Sequence, residues 1–139
     1  MSKGMGALLH DVGKIGIRDS VLLKTDSLSE AEAREIRRHP ELGASLIGEI
    51  RFLENAREIV LFHHEKFDGG GYPAGLSGQA IPLGARIFAV ADVFDALTTG
   101  RPYRSPISYL EARNFIAKES GRHFDPVVVG AFLWIPFAE

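Results

Sequence analysis

Glu54-Asn55-Ala56-Arg57-Glu58-Ile59-Val60-Leu61-Phe62-His63-His64 carries the apolar period of a helix, and that period runs out on two histidines. Ile59 and His63 stand four residues apart, as do Val60 and His64, so both imidazoles belong to the face of core residues. Adjacent helical positions diverge by about 100°, so the pair can serve one site only if the site is large or the helix ends there. A buried histidine beside a solvent-facing one is the plainer alternative. The position four after His64 is Asp68, which excludes the His-Glu-x-x-His zinc pattern.

Downstream, Asp68 to Gly78 reads as a glycine-rich loop. It has neither the Gly-x-Gly-x-x-Gly of a dinucleotide fold nor the Gly-Lys ending of an ATP-type cradle. Gly69-Gly70-Gly71 before Tyr72-Pro73 instead predicts close backbone approach with one aromatic presented. A long helix is expected after Pro82, with Ala85, Phe88, Ala89 and Asp92 on neighbouring turns. Two more should run from Ser108 to Ser120, ended by Gly121, and from Pro126 to Ile135, capped by Asp125. Upstream, Ser29-Glu30-Ala31-Glu32 has the form of a capping box and starts a helix running to Arg38. Pro40 then places His39 at a joint, with a further helix over Glu41 to Ile50. No sustained alternation of β-branched residues appears, so the outline is all-α.

The 139 residues suffice for one domain with its own core. At 45% apolar and 24% charged residues, disorder is not expected. A net charge of -2 argues against a nucleic-acid coat or a polybasic membrane binder. No apolar run approaches the roughly 20 residues that span a bilayer, and no secretory signal is apparent. With no cysteine present, any metal must rest on nitrogen and oxygen ligands, and a cytoplasmic setting is expected.

Several polar residues stand where a helical protein has little structural use for them. His10 and Asp11 are adjacent, and both could reach one metal, although Asp11 could equally cap a helix. Lys14 offers a positive charge for phosphate oxygens, or a plain surface ion pair. Asp92 lies on an apolar face, where burial is costly unless it is paired or metal-bound. Its alternative partner is Arg86 or Arg101, and Asp95 would support a ligand rather than be one. Arg101, Tyr103 and Arg104 follow a helix exit at Thr98-Thr99-Gly100, and two guanidinium groups suit phosphate. His123 reads as structural.

Taken in order, His10-Asp11-Val12-Gly13-Lys14, His39 and His63-His64-Glu65-Lys66-Phe67-Asp68-Gly69-Gly70-Gly71-Tyr72-Pro73 form one pattern. It continues through Asp92-Val93-Phe94-Asp95-Ala96-Leu97-Thr98, Arg101-Pro102-Tyr103-Arg104 and Phe124-Asp125-Pro126. In that pattern the chain resembles the HD-GYP domain, a branch of the HD metal-dependent phosphohydrolases. The resemblance implies an all-α helical bundle over residues 1–139, lacking its N-terminal helix or helices. That branch carries a further histidine upstream of the His-Asp pair, and no histidine precedes His10.

The resemblance also implies two or three divalent metal ions, iron or manganese, and hydrolysis of cyclic di-GMP to linear pGpG or GMP in bacterial second-messenger signalling. By that resemblance His10, Asp11, His39, His63, His64 and Asp92 bind metal, with Asp11 bridging. Asp11 and Lys14 would be catalytic, Lys14, Arg101 and Arg104 would contact phosphate, and Gly71, Tyr72 and Pro73 would shape the substrate pocket. Expected partners are cyclic di-GMP, a regulatory domain upstream and a second copy in a homodimer, without DNA or membrane insertion. Two outcomes stay open beside hydrolysis of cyclic di-GMP. One is a module that binds it, or a protein partner, without turnover; the other is an HD hydrolase of other nucleotides.

Overall fold

Helix-starting residues divide the chain. The computed structural model describes residues 2–101 and 103–136, with only the backbone of Ser2 and Lys3. Pro102, part of the Arg101–Arg104 motif, lies outside the described residues, as do 137–139. Eight α-helices are described: α1 Ser2–Leu9, α2 Asp19–Leu22, α3 Glu30–Ile36, α4 His39–Ile47, α5 Glu54–Phe62, α6 Leu83–Thr99, α7 Tyr109–Lys118 and α8 Pro126–Leu133. Short 3-10 turns occupy Val12–Gly16, Arg51–Leu53 and Gly78–Ala80. Among the described residues there is no strand, only the isolated bridges Arg101–Arg104 and Ser120–Phe124. The all-α expectation holds. No described helix is long and apolar enough to cross a membrane.

The caps explain the partition. Ser29 and Ser108 each accept from the third helical N–H while Glu32 and Glu111 reach back to them, so α3 and α7 start on complete capping boxes. Asp125 accepts from the Val127 N–H and Pro126 takes the first position of α8, where a missing N–H costs nothing. Several boundaries differ from expectation, α5 ending at Phe62 and α7 at Lys118 among them. A turn at Arg37 and Arg38 interrupts the backbone, so α3 ends at Ile36 and α4 already begins at His39. α4 stops at Ile47 because the chain turns at Gly48 toward Arg51–Leu53. The last turn of α8 is cut short at Leu133, where the Arg113 guanidinium takes the carbonyls of Leu133 and Ile135.

Two apolar clusters hold the helices. Ile47, Leu53, Ala56 and Val60 pack with Met5, Leu9 and Val12, joining α1, α4 and α5. Ala89, Val90, Ile116, Phe124, Val129 and Phe132 join α6, α7 and α8. Burial of such side chains is worth about 1.5–3 kcal/mol each before chain entropy is subtracted. One close approach brings Asp11 beside His39. A Cβ on Gly13 would collide with the carbonyl oxygen of His39, so only glycine lets the turn after Asp11 lie flat against the start of α4.

Candidate metal centre

Each histidine of the centre is aimed by its own backbone. His10 Nδ1 lies 2.7 Å from the Ala7 carbonyl, His39 Nδ1 2.7 Å from Ile36 and His63 Nδ1 2.9 Å from Val60. A carbonyl only accepts, so each Nδ1 carries the proton and donates it, and in the neutral ring each Nε2 keeps a lone pair. α5 ends at Phe62, so His63 and His64 sit on the turn beyond it and both rings reach one place. The condition set by their adjacency is therefore met by helix termination. His39, His63 and His64 each offer a ring nitrogen within 4.8 Å of the others.

The carboxylates close in from the other side. Asp11 Oδ1 lies 3.5 Å from His39 Nε2, and its Oδ2 lies 3.4 Å from His10 Nε2 and 2.7 Å from Lys14 Nζ. Asp92 Oδ1 stands 3.9 Å from His10 Nε2. Thus Asp11 stands between two groups, His10 with Asp92 and the three histidines on α4 and past α5. Phe88 of α6 lies against this assembly, 5.0 Å from the His10 ring and 6.1 Å from His63.

Burial controls the charge. It pushes the His63 imidazole down to about 4 and His64 to about 3, with neighbouring histidines adding to the shift. His39 is lowered by burial too. Burial likewise raises the Asp92 carboxyl, which His10 partly offsets. Asp11 is pushed up by burial, but hydrogen bonds from His10 and Lys14 more than reverse this and hold it below the carboxylate range. Giving that hydrogen bond to Asp11 favours the protonated His10 ring and raises it.

These observations test whether a cation fits. His39 Nε2 and His63 Nε2 are 3.3 Å apart, both bearing lone pairs when both rings are neutral. Asp11 Oδ1 approaches His39 Nε2 from the more exposed side at 3.5 Å. Acceptors facing acceptors form no hydrogen bond, and a divalent cation is the species that satisfies them together. The nitrogen and oxygen donor set suits iron or manganese as well as zinc. The carbonyl behind each of three rings is the outer partner that metal-binding histidines use to fix their tautomer.

The glycine loop is docked on the same turn. Tyr72 N–H donates to the His64 carbonyl at 3.2 Å. A Cβ on Gly71 would collide with that carbonyl, which is why the last glycine stands there. The Tyr72 ring stacks on His64, 4.8 Å between centres and 17° from parallel. Glu65, 2% exposed, accepts from the N–H groups of Ala74 at 2.7 Å and Leu76 at 3.0 Å.

Glu65 has no role in the sequence reading beyond its place in the motif. Its signal was the glycine loop itself, whose bare backbone donors need an acceptor. Arg37, whose guanidinium lies 5.6 Å over the Tyr72 ring, is also absent from the sequence reading, as is Phe88 as a wall.

Other expected residues make contacts of their own, and Arg101 is near enough for its charge to act on Asp92. Arg86 pairs with Asp125 at 2.6 Å, so it is no partner of Asp92. Asp95 accepts from Thr99 Oγ1 at 3.1 Å rather than steadying a ligand. Arg101 and Arg104 exchange backbone hydrogen bonds of 2.8 and 2.9 Å across a tight turn, and Arg104 Nη2 reaches back to the Ala96 carbonyl at 3.0 Å. Together with Thr99, Tyr103 and Pro106 they line an open concavity. His123 stacks on Phe124 and its carbonyl accepts from Phe67 N–H, a structural placement as expected.

The HD domain profile matches residues 3–128. A protein of Vibrio cholerae named cyclic di-GMP phosphodiesterase is 51% identical over 134 residues, which cover 91% of this chain and 27% of that protein. The cyclic di-GMP phosphodiesterase response regulator RpfG of Xanthomonas campestris is 50% identical over 93% of this chain and 35% of its own. The chain therefore spans about a third or less of the length of these relatives. Among solved structures, a cyclic GMP-AMP specific phosphodiesterase of V. cholerae aligns over 98% of this chain and 40% of its own, with TM-score 0.67 and 25% identity.

Proposed function

The chain belongs to the HD domain family, and on that premise we propose that it is the HD-GYP catalytic unit of a metal-dependent phosphodiesterase that hydrolyses cyclic di-GMP. The observation that carries this is the buried approach of His39 Nε2 to His63 Nε2, lone pair against lone pair, with Asp11 Oδ1 3.5 Å from His39 Nε2 at its open side. The names of the relatives support the substrate.

We assign two ions, iron or manganese. His10, Asp11 and Asp92 would hold one, and His39, His63 and His64 the other, with Asp11 shared. Bound there, the pair would supply Lewis-acid polarisation of the phosphoryl group and a water acidified toward neutral pH. The chain's own residues do the rest. Burial keeps His63 and His64 neutral and so ready as donors. The carbonyls of Ala7, Ile36 and Val60 fix the direction of three Nε2 lone pairs. Lys14, beside Asp11, brings the nearest positive charge to phosphoryl oxygens as negative charge develops on them. Tyr72, stacked on His64, forms the wall against which the dinucleotide is oriented. Hydrolysis adds water across one P–O3′ bond, giving linear pGpG, and a second hydrolysis gives GMP.

Elemental analysis beside a turnover assay with added manganese or iron tests this. Bound metal with release of pGpG or GMP is expected. A protein that retains no divalent metal and leaves cyclic di-GMP intact overturns it. Binding without turnover would identify a non-catalytic module, and turnover of mononucleotides alone a broader hydrolase.

A further inference from the structure

The cations expected to meet phosphate are mostly engaged inside the protein. Lys14 is held on Asp11 at 2.7 Å, and Arg104 is turned back onto the Ala96 carbonyl. Among the described residues the Arg37 guanidinium is engaged only by an aromatic ring. The acids near it belong to others: Glu35 is taken by Arg18, Glu32 by Lys24 and Glu30 by Arg34. Among the described residues Arg37 has no carboxylate partner, and its side chain is exposed.

Its position is nonetheless fixed relative to the centre. Arg37 stands two residues before His39, and its guanidinium carbon lies 5.6 Å from the centre of the Tyr72 ring. That ring in turn stacks on His64. Stacking on an aromatic face holds a guanidinium flat while leaving its N–H edge available. The turn between α3 and α4 thus presents a cation against the Tyr72 ring, beside the metal centre.

We infer that Arg37 binds a phosphate oxygen of the substrate at the edge of the metal centre, using Tyr72 as its platform. This rests on the phosphodiesterase reading given above. A phosphodiester carries one negative charge on two oxygens, which the guanidinium fork matches. Arg37 stands outside the ligand set, so it can meet one phosphate oxygen while the metal ions would hold the phosphoryl group at the centre.

The test is equilibrium binding of a hydrolysis-resistant phosphorothioate analogue of cyclic di-GMP to the manganese-loaded full chain, for the unaltered chain, Arg37→Ala, Arg37→Lys and Arg38→Ala. Arg37→Ala should weaken binding on the order of 10-fold to 100-fold, the range of a hydrogen bond to a charged group. Arg37→Lys should recover only part of this, because an ammonium keeps the charge but loses the planar fork and its stacking on Tyr72. Arg38→Ala, which removes an equal charge one residue away, should change binding less than about 2-fold.

Unchanged affinity in Arg37→Ala overturns the inference. So does an Arg37→Lys that binds as tightly as the unaltered chain, which would mean that charge alone, and neither the fork nor the Tyr72 platform, is used. Analogue binding with no hydrolysis of cyclic di-GMP itself would sink the catalytic reading while the affinity ratios still decide Arg37. A chain that neither binds nor hydrolyses cyclic di-GMP sinks both.

Discussion

Two buried polar clusters sit in one helical frame, and they are built on opposite rules. Between α6 and the start of α8, Arg86 gives one N–H to the Ile81 carbonyl and another to Asp125, whose second oxygen accepts from Val127 N–H. Donors meet acceptors, and the pair is complete. At the meeting of α4 with the turn past α5, acceptors meet acceptors. By distance alone every buried polar side-chain atom among the described residues has a neighbour, His39 and His63 included. Only the proton positions, fixed by the carbonyls behind the rings, separate a finished structural pair from a site that calls for a cation.

The comparison predicts where stability resides, and the largest effect should fall on the finished pair. Arg86→Ala leaves the Asp125 carboxylate, 4% exposed, buried without its countercharge. The expected loss is about 3–5 kcal/mol in urea unfolding of the metal-free chain. The pH dependence follows from the sign of the shift. Burial pushes the Asp125 carboxyl up and Arg86 brings it below its ordinary 3.8, so the native chain holds fewer protons than the unfolded one near that pH. The pair's stabilisation is present above 3.8 and is lost as pH falls through the folded value. The gap between Arg86→Ala and the unaltered chain should therefore narrow on acidification. A gap that is constant with pH would show that the pair is not the cause.

The second effect belongs to the unfinished cluster and appears only with metal. Manganese at about 100 times its dissociation constant should stabilise the chain by roughly 2.7 kcal/mol. His63→Gln should abolish that increment while costing the metal-free chain less than Arg86→Ala does. Removing one of two facing lone pairs breaks no bond between them. A metal-free His63→Gln chain as unstable as Arg86→Ala would place both clusters under one rule and end the distinction.

Glu65 comes third. It resembles Asp125 in being a buried carboxylate fully supplied with N–H donors, yet it holds the loop of the unfinished site. Glu65→Gln turns an amide donor toward the Ala74 or Leu76 N–H, a loss of about 1–3 kcal/mol. Because the loop carries Tyr72, the KM for cyclic di-GMP should rise beyond what unfolding explains, measured well below the melting temperature. Glu65→Gln with altered stability and unaltered KM would leave the loop as scaffold only.

Legibility in the sequence followed the range of each interaction. The four-residue spacing of Ile59 with His63, the Ser29 capping box and the Pro40 joint are local, so the helices and the six candidate ligands could be read directly. Their convergence came from the motif order rather than from any single segment. The Arg86–Asp125 pair joins positions 39 residues apart, and Arg86 was instead weighed as a partner for Asp92. Glu65 escaped for another reason. Its partners are backbone N–H groups of Ala74 and Leu76, which every non-proline residue possesses and no letter marks. Arg37 stayed hidden because its platform, Tyr72, reaches it only after the loop folds back on His64.

The smallest effect tests whether local and distant order can be separated. α3 has no buried residue, so little but its capping box fixes where it starts. Ser29→Ala should cost about 1 kcal/mol in urea unfolding. It should leave metal content unchanged, because His39 is oriented by the Ile36 carbonyl and by the glycine contact at Gly13 rather than by the first turn of α3. If Ser29→Ala also lowered manganese retention, the direction of His39 would depend on the whole of α3. The metal centre would then begin ten residues earlier than its first ligand on that side.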